Sequence, residues 1–261
     1  METVIFAGGF GTRISEESHL RPKPMVDIGG QPILWHIMKY YAAFGHTDFI
    51  ICAGYKSYVI KEYFADYYLH TSNVTFDFRG ENKMVVHNSA AEPWKVTIVD
   101  TGLNAMTGCR LKRVEEYVKG DRFFLTYGDG VSDIDLNALQ KAHENSDNIV
   151  TLSSVQPPER YGVLEFNEDR TKIKAFVEKQ ADSGNFINAG FMECEREIFA
   201  LVEDDINCVF ERKPIETAAA MGKLGVHIHN GFWQCMDTKR EHDLLTELWE
   251  TGKAKWRIWN N

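Results

Sequence analysis

Val4-Ile5-Phe6-Ala7-Gly8-Gly9-Phe10-Gly11-Thr12-Arg13, followed by Pro22-Lys23-Pro24, is the stretch on which the reading of this chain turns. Residues 4–7 have the length and apolar content of a buried strand. Gly8, Gly9 and Gly11 then make a loop in which the backbone can approach a bulky anion and adopt positive φ. Consecutive N–H groups in such a loop form a concave anion nest. Arg13 adds a planar fork for phosphate oxygens and Lys23 a compact point charge. The prolines on both sides of Lys23 stiffen its backbone and keep it out of a helix interior. The pattern reads as a triphosphate cradle, with a plain glycine-rich turn as the alternative. The dinucleotide fingerprint, counted from Gly9 and Gly11, fails at Ile14, and no P-loop occurs in the chain.

Composition narrows the partners. The 261 residues suffice for a sizeable core, and 44% hydrophobic with 26% charged content is that of a globular protein. A net charge of −9 argues against a nucleic-acid surface. An acidic chain that binds a polyanion needs locally placed Arg and Lys together with a divalent cation, which directs attention to aspartates near the cradle. No apolar run reaches the roughly twenty residues of a membrane span, and the start lacks the pattern of a signal peptide. The five cysteines (52, 109, 194, 208 and 235) form no C-x-x-C pair, which suits a reducing cytoplasm without structural zinc or disulfides.

Hydrophobic periodicity alternates along the chain. Residues 4–7, 48–53, 74–78, 83–87, 95–100, 123–127 and 149–155 read as strands. Residues 32–44, 58–68, 107–118 and 135–145 read as helices, the last with Asp135 as cap. Strands alternating with helices predict an α/β fold with a mostly parallel central sheet covered by helices on both faces. Ligands bind such sheets beyond the carboxyl ends of the strands, where the cradle and Asp129 both fall. After about residue 155 the rhythm changes to a hairpin (162–166 with 172–178), a strand 187–194, helices 195–203 and 214–221, and a strand 224–229. A helix 239–251 ends at Gly252, and an aromatic tail with Trp256 and Trp259 packs either on its own unit or on a neighbouring subunit.

Asp129 follows a buried strand between Gly128 and Gly130, so its carboxylate is held at the sheet edge, unless it simply makes an Asp-Gly turn. Asp237 ends the aromatic segment 231–238 and either faces the cradle or caps the following helix. Two aspartates converging on a triphosphate would suit Mg²⁺, which takes few carboxylates and completes its shell with phosphate oxygens and water. Asp133 and Asp135 read as turn and cap. Glu178, Lys179 and Asn188 lie at adjacent strand ends, where they would recognise sugar hydroxyls and a phosphate or form a solvated loop pair. His227 and His229 lack a third metal ligand and read as surface or satisfied core. Arg110, in the first turn of its helix, is a better ligand candidate than Arg113. No cysteine has an activating neighbour in sequence.

Residues 6–13 with 22–25 resemble the signature of the sugar-1-phosphate nucleotidylyltransferases. Residues 23–28, 54–64 (GYKSYVIKEYF), 99–113 (VDTGLNAMTGCRLKR), 126–130 (TYGDG), 231–238 (GFWQCMDT) and 248–256 are similar to the glucose-1-phosphate cytidylyltransferase branch of that family. The resemblance runs from about residue 1 to 259. It implies a Rossmann-like nucleotidyltransferase fold and Mg²⁺-dependent transfer of CMP from CTP to α-D-glucose 1-phosphate. Residues 1–155 would be the nucleotide-binding half, 156–238 a β-rich sugar-phosphate-binding half, and 239–261 a C-terminal helix and tail of the same unit.

By that resemblance Phe6, Ala7, Gly8, Gly9, Gly11, Thr12, Arg13, Lys23, Arg110 and Gly128 hold the nucleotide. Tyr127, Glu178, Lys179 and Asn188 hold the sugar phosphate, and Asp129 and Asp237 bind Mg²⁺. Arg13, Lys23 and Asp129 carry the catalysis. A cytoplasmic homo-oligomer, a hexamer in that family, is implied, working in CDP-dideoxyhexose synthesis for lipopolysaccharide O-antigen. Three positions depart from the family pattern, all in the sugar half. The residue after Glu178-Lys179 is Gln180 instead of proline, and Ala189 replaces a glycine in Asn-Gly-Gly. The expected Trp-Glu-x-Glu-Pro-Leu reads Phe210-Glu211-Arg212-Lys213-Pro214-Ile215. A different acceptor, or a sugar-nucleotide-binding protein without activity, are the rival readings.

Overall fold

Seven strands form one sheet: β1 (Glu2–Ala7), β2 (Asp48–Ala53), β3 (Lys95–Asp100), β4 (Arg122–Tyr127), β5 (Val150–Val155), β6 (Ile187–Glu195) and β7 (Leu224–His229). The computed structural model describes residues 1–11, 21–80, 82–156, 163–166, 173–177 and 186–259, with 163–166 and 173–177 as backbone only. The strand order is β7-β5-β6-β4-β1-β2-β3. β6 runs antiparallel to both β5 and β4, and the other pairings are parallel, as the periodicity predicts. Helices α1 (Ile33–Ala43), α2 (Ser57–Ala65), α3 (Thr107–Lys112), α4 (Leu136–Glu144), α5 (Lys213–Ala220) and α6 (Lys239–Glu250) complete the main elements.

Residues alternate between the two faces of β1, and both faces are buried. Ile5 and Ala7 pack with Ile51 and Phe124 against Ile33, Leu34, Ile37 and Tyr41 of α1. Val4 and Phe6 pack with Ile50, Phe123 and Leu125 against Leu111, Val114, Phe199 and Phe210. Each fully buried aliphatic or aromatic side chain contributes about 1.5–3 kcal/mol. This two-sided burial turns the strands into continuous apolar runs. It leaves their glycine continuations at the carboxyl edge, Gly8 level with Gly54 because Ala7 pairs with Ala53, and Gly128 one residue earlier, beside Ala7, because Phe6 pairs with Tyr127.

Several elements differ from the periodicity. The helix expected over 107–118 stops at Lys112 and continues as a 3₁₀ turn, Glu115–Tyr117. Val114 and Val118, which flank this turn, are both buried in the core. Residues 195–203 form a 3₁₀ helix, Arg196–Leu201, that buries Ile198 and Phe199. The hairpin of Val163–Phe166 with Ile173–Val177 is present. A small antiparallel pair, Gly130–Ser132 with Trp233–Cys235, was not legible as strands and links the Asp129 turn to the Asp237 segment. The tail packs on its own chain. Trp256 is fully buried, its ring 5.6 Å from Phe232 and 6.4 Å from Trp249, and its indole N–H lies 3.4 Å from His36 Nδ1.

Toward the start of β4, the sheet buries Glu193 completely beside Arg122 at 3.2 Å. Burial pushes this carboxyl up from 4.5 to about 7, with Arg122 opposing the shift and Glu144 and Glu195 adding to it. A folded value above the unfolded one means that the group's contribution to stability is complete below pH 4.5 and lost as the pH rises through about 7. Glu193→Gln is therefore expected to gain stability relative to the parent across that window, by up to about 3 kcal/mol. Urea unfolding of both proteins from pH 4.5 to 8 checks this, and a difference independent of pH would refute it.

Candidate functional site

The glycine loop, Lys23, the 103–107 segment, Arg110, Tyr127, Gly128, Asp129 and Asp237 line one cleft of about 360 Å³ at the carboxyl edge of the sheet. Of the nucleotide-site residues expected from the sequence, Phe6, Ala7, Gly8, Gly9, Gly11, Lys23, Arg110 and Gly128 all line it. Thr12, Arg13, Glu178, Lys179 and Gln180 lie outside the described residues.

Lys23 starts a 3₁₀ turn, Lys23–Met25, entered through an extended Pro22 (φ −66°, ψ 149°) and tightened by Pro24. This rigid turn aims the ammonium between two carboxylates. Lys23 Nζ donates to Asp129 Oδ2 at 2.5 Å and to Asp237 Oδ1 at 2.6 Å. Burial pulls the ammonium's pKa down, but the two carboxylates outweigh it and hold Lys23 above its ordinary value. Three residues separated by 106 and 214 positions thus meet at one point. Two carboxylate oxygens converging on a single positive charge form a donor set that suits a hard cation. Among the described residues no group of three or more His, Cys, Asp or Glu side chains is placed to hold a metal.

Asp237 reaches this position because the helix after it is capped by its neighbour. Thr238 caps α6 in a capping box: its side chain accepts from the Glu241 backbone N–H. Glu241 Oε2 accepts from the backbone N–H groups of both Thr238 (2.8 Å) and Asp237 (2.7 Å). The Asp237 carboxylate is thereby left to the cleft, not to the cap.

Arg110 is 5% exposed and spends its guanidinium largely on the backbone around the glycine loop. Nη2 donates to Gly8 O (2.9 Å) and Leu103 O (3.2 Å), and Nη1 to Thr101 Oγ1 (2.8 Å), Gly102 O (2.8 Å) and Ala53 O (3.2 Å). It ties the ends of β1, β2 and the 102–103 turn into one wall. The glycine at 8 is what permits this approach, since a Cβ there would lie 2.1 Å from Arg110 Nη1. Gly11 adopts φ +64°, a left-handed conformation that glycine takes without strain.

Tyr127 closes the cleft beside Asp129. Its ring stands 5.8 Å from that of Phe6, and its hydroxyl donates to Glu211 Oε1 and lies 3.5 Å from Asn188 Nδ2. Burial, then the Glu211 carboxylate, push the phenol well above its usual pKa. Glu211 Oε2 also accepts from Thr107 Oγ1 at 2.6 Å. Sequence reading passed over Glu211 because its segment stood out as a departure, although the glutamate itself matches the family pattern. Lys213, one true departure, pairs with Glu203 at the surface. Ala189 buries its side chain in the core, and Gly190 takes the positive φ of +84°. His229 is satisfied by Asp133 at 2.9 Å, and Asp133 also anchors the Phe232 N–H at 2.6 Å, fixing the turn into residues 233–235. The five cysteines are free thiols. Among the described residues no helix is long and apolar enough to cross a membrane.

A strand edge carrying a glycine-rich loop, a buried lysine and two converging aspartates brings backbone N–H donors, one fixed positive charge and two carboxylates to a single cleft. The nucleotidyl transferase family matches residues 2–233, and the chain belongs to that family. It is 51% identical over 260 residues to the glucose-1-phosphate cytidylyltransferase of Salmonella typhimurium, across 99% of this chain and 100% of that one. Among solved structures, HddC from Yersinia pseudotuberculosis superposes with a TM-score of 0.66 at 22% identity, covering 95% of this chain and 99% of its own. The inositol-1-phosphate CTP transferase from T. maritima gives 0.62 at 17% identity, covering 99% and 98%. These two likenesses extend to the fold.

Proposed function

We propose that the chain transfers CMP from CTP to α-D-glucose 1-phosphate, releasing pyrophosphate and forming CDP-glucose. The meeting of Lys23, Asp129 and Asp237 on the floor of the glycine-loop cleft carries this reading, with the full-length similarity to a glucose-1-phosphate cytidylyltransferase naming the substrates. A phosphate oxygen of the sugar phosphate attacks the α-phosphorus in line, and the bond to the leaving pyrophosphate breaks. The attacking oxygen is already ionised at neutral pH, so no general base is required. Catalysis then rests on positioning and on neutralising charge at the phosphates.

The N–H groups of the glycine loop cradle the phosphates, with Arg110 holding the loop in place through Gly8 O. Lys23 neutralises charge on the α-phosphate, and Arg13 takes the leaving pyrophosphate. Asp129 and Asp237 fit Mg²⁺, which when bound supplies further charge neutralisation on the phosphate oxygens. Tyr127, Glu178, Lys179 and Asn188 hold the sugar phosphate. The free thiols suit a reducing cytoplasm. A homo-oligomer belongs to the same proposal, with Phe76, Phe78, Met84 and Val85 exposed on the hairpin 72–89 as apolar surface for it.

Pyrophosphate release with CTP, Mg²⁺ and a panel of sugar 1-phosphates tests the reading. The highest kcat/KM is expected for glucose 1-phosphate with CTP, and light scattering is expected to give a multiple of 29.9 kDa. No release with any acceptor, or a clear preference for another, would overturn the assignment.

A further inference from the structure

We propose that Glu211 is a positioning residue that makes the Tyr127 hydroxyl an acceptor-only group, so that Tyr127 reads a donating hydroxyl of the sugar 1-phosphate. The inference rests on the cytidylyltransferase reading and adds to it how the acceptor is recognised.

A phenol has one proton and two lone pairs. Tyr127 gives its proton to Glu211 Oε1. Glu211 is itself fixed, since its other oxygen takes the Thr107 hydroxyl proton at 2.6 Å while Thr107 Oγ1 accepts the Phe210 N–H at 2.9 Å. The ring cannot easily turn away. Gly190 lies beneath it, where a Cβ would stand 2.4 Å from Cδ2, and Phe6 flanks it at 5.8 Å. The Asn188 amide is oriented as well, because its Oδ1 accepts the Gly190 N–H at 2.9 Å, which turns Nδ2 toward the phenol.

What Tyr127 offers to the cleft is therefore a lone pair. An ionised phosphate has no proton to give, so it is a poor partner for this group, whereas a sugar hydroxyl can donate to it. Tyr127 lies next to Gly128-Asp129, on the side of the carboxylate pair and beside Asn188. That is where the proposed reaction needs the acceptor sugar. Glu211 reaches no substrate in this scheme; it acts through Tyr127.

The test compares KM for CTP and for glucose 1-phosphate in the parent, Glu211→Gln, Tyr127→Phe and the double variant. It includes monodeoxy analogues of glucose 1-phosphate. Glutamine keeps an acceptor for Thr107 but turns an N–H donor toward Tyr127, which reverses the polarity of the phenol. Both single variants are expected to raise KM for glucose 1-phosphate about tenfold, the effect of one lost hydrogen bond, with KM for CTP within about twofold. The double variant should be no worse than Tyr127→Phe. One deoxy analogue should lose affinity for the parent and lose none further for Tyr127→Phe. Additive losses, or a Glu211→Gln effect that survives in the Tyr127→Phe background, would overturn the proposal. So would a rise in KM for CTP alone, which would make Tyr127 a reader of the base, or unchanged constants throughout. Parent turnover with CTP and glucose 1-phosphate, measured alongside, reports separately on the proposed function.

Discussion

Lys23→Ala is expected to lower kcat/KM for pyrophosphate release by 10²–10³, on the order seen when one preorganised donor to a developing oxyanion is removed. The effect arises from a single charge serving two ends of the site. Lys23 Nζ pairs with Asp129 and Asp237 at 2.5 and 2.6 Å, so it holds both carboxylates in register before it neutralises a phosphate. Lys23→Arg should recover little, because a planar guanidinium is larger and spreads its charge over a fork, where the turn at Pro22 and Pro24 presents a point charge. The folding cost of Lys23→Ala should be modest. Both aspartate side chains remain about a third exposed (33% and 29%), so water screens the repulsion left between them. Steady-state turnover with a thermal melt on the same samples separates the two effects. Near-normal turnover in a folded Lys23→Ala protein would remove Lys23 from the mechanism.

The second large effect lies at the glycine loop. In Gly8→Ala the new Cβ would lie 2.1 Å from Arg110 Nη1 and 2.4 Å from its Cζ. Arg110 has little room to yield, since moving it abandons the Gly8, Ala53, Gly102 and Leu103 carbonyls and the Thr101 hydroxyl. Each buried polar group left without a partner costs about 1–3 kcal/mol. Gly8→Ala should therefore destabilise by about 3 kcal/mol and abolish CTP binding at concentrations that saturate the parent. Arg110→Ala should cost at least as much, for the same lost bonds. The pair makes a sharper statement than either variant alone. With alanine at 110 the space for a Cβ exists, so Gly8→Ala should cost much less in that background. Equal costs in both backgrounds would mean that the loop is shaped by something other than Arg110. Denaturant unfolding and CTP titration calorimetry on the four proteins give the comparison.

Much of this was written locally in the chain. Continuous apolar runs such as Val4–Ala7 and DFIICA at 48–53 gave away strands buried on both faces, and their alternation with helical periods implied the parallel sheet. The carboxyl-edge position of Gly8–Gly11 and Asp129 followed from that topology. What stayed hidden depends on contacts between distant segments. Nothing near residue 110 says that its guanidinium will be spent on backbone carbonyls of three separate strand ends. Glu211 lies 84 residues from the tyrosine it accepts from, and its neighbours draw attention because they differ from relatives, although Phe210 belongs to the core and Lys213 to the surface. The helix at 107–118 is shorter than its pattern predicts because the spacing of apolar residues does not distinguish one continuous α-helix from a short α-helix followed by a 3₁₀ turn. Asp237 was ambiguous between cap and cleft for a related reason: Asp and Thr are both good caps, and only the Glu241 side chain, reaching back to two N–H groups, decides between them.

The capping box has a consequence for how this chain can diverge. Asp237 hangs from the first turn of α6, α6 packs on the core through Leu245, Leu248 and Trp249, and the tail brings Trp256 against His36 on α1. The second carboxylate is thus inherited together with a helix and a tail that never enter the cleft. A recombination breakpoint between relatives placed inside 238–256 would join one parent's carboxylate to the other parent's anchor. One placed before the turn at residue 231 would pass on carboxylate and anchor as a block.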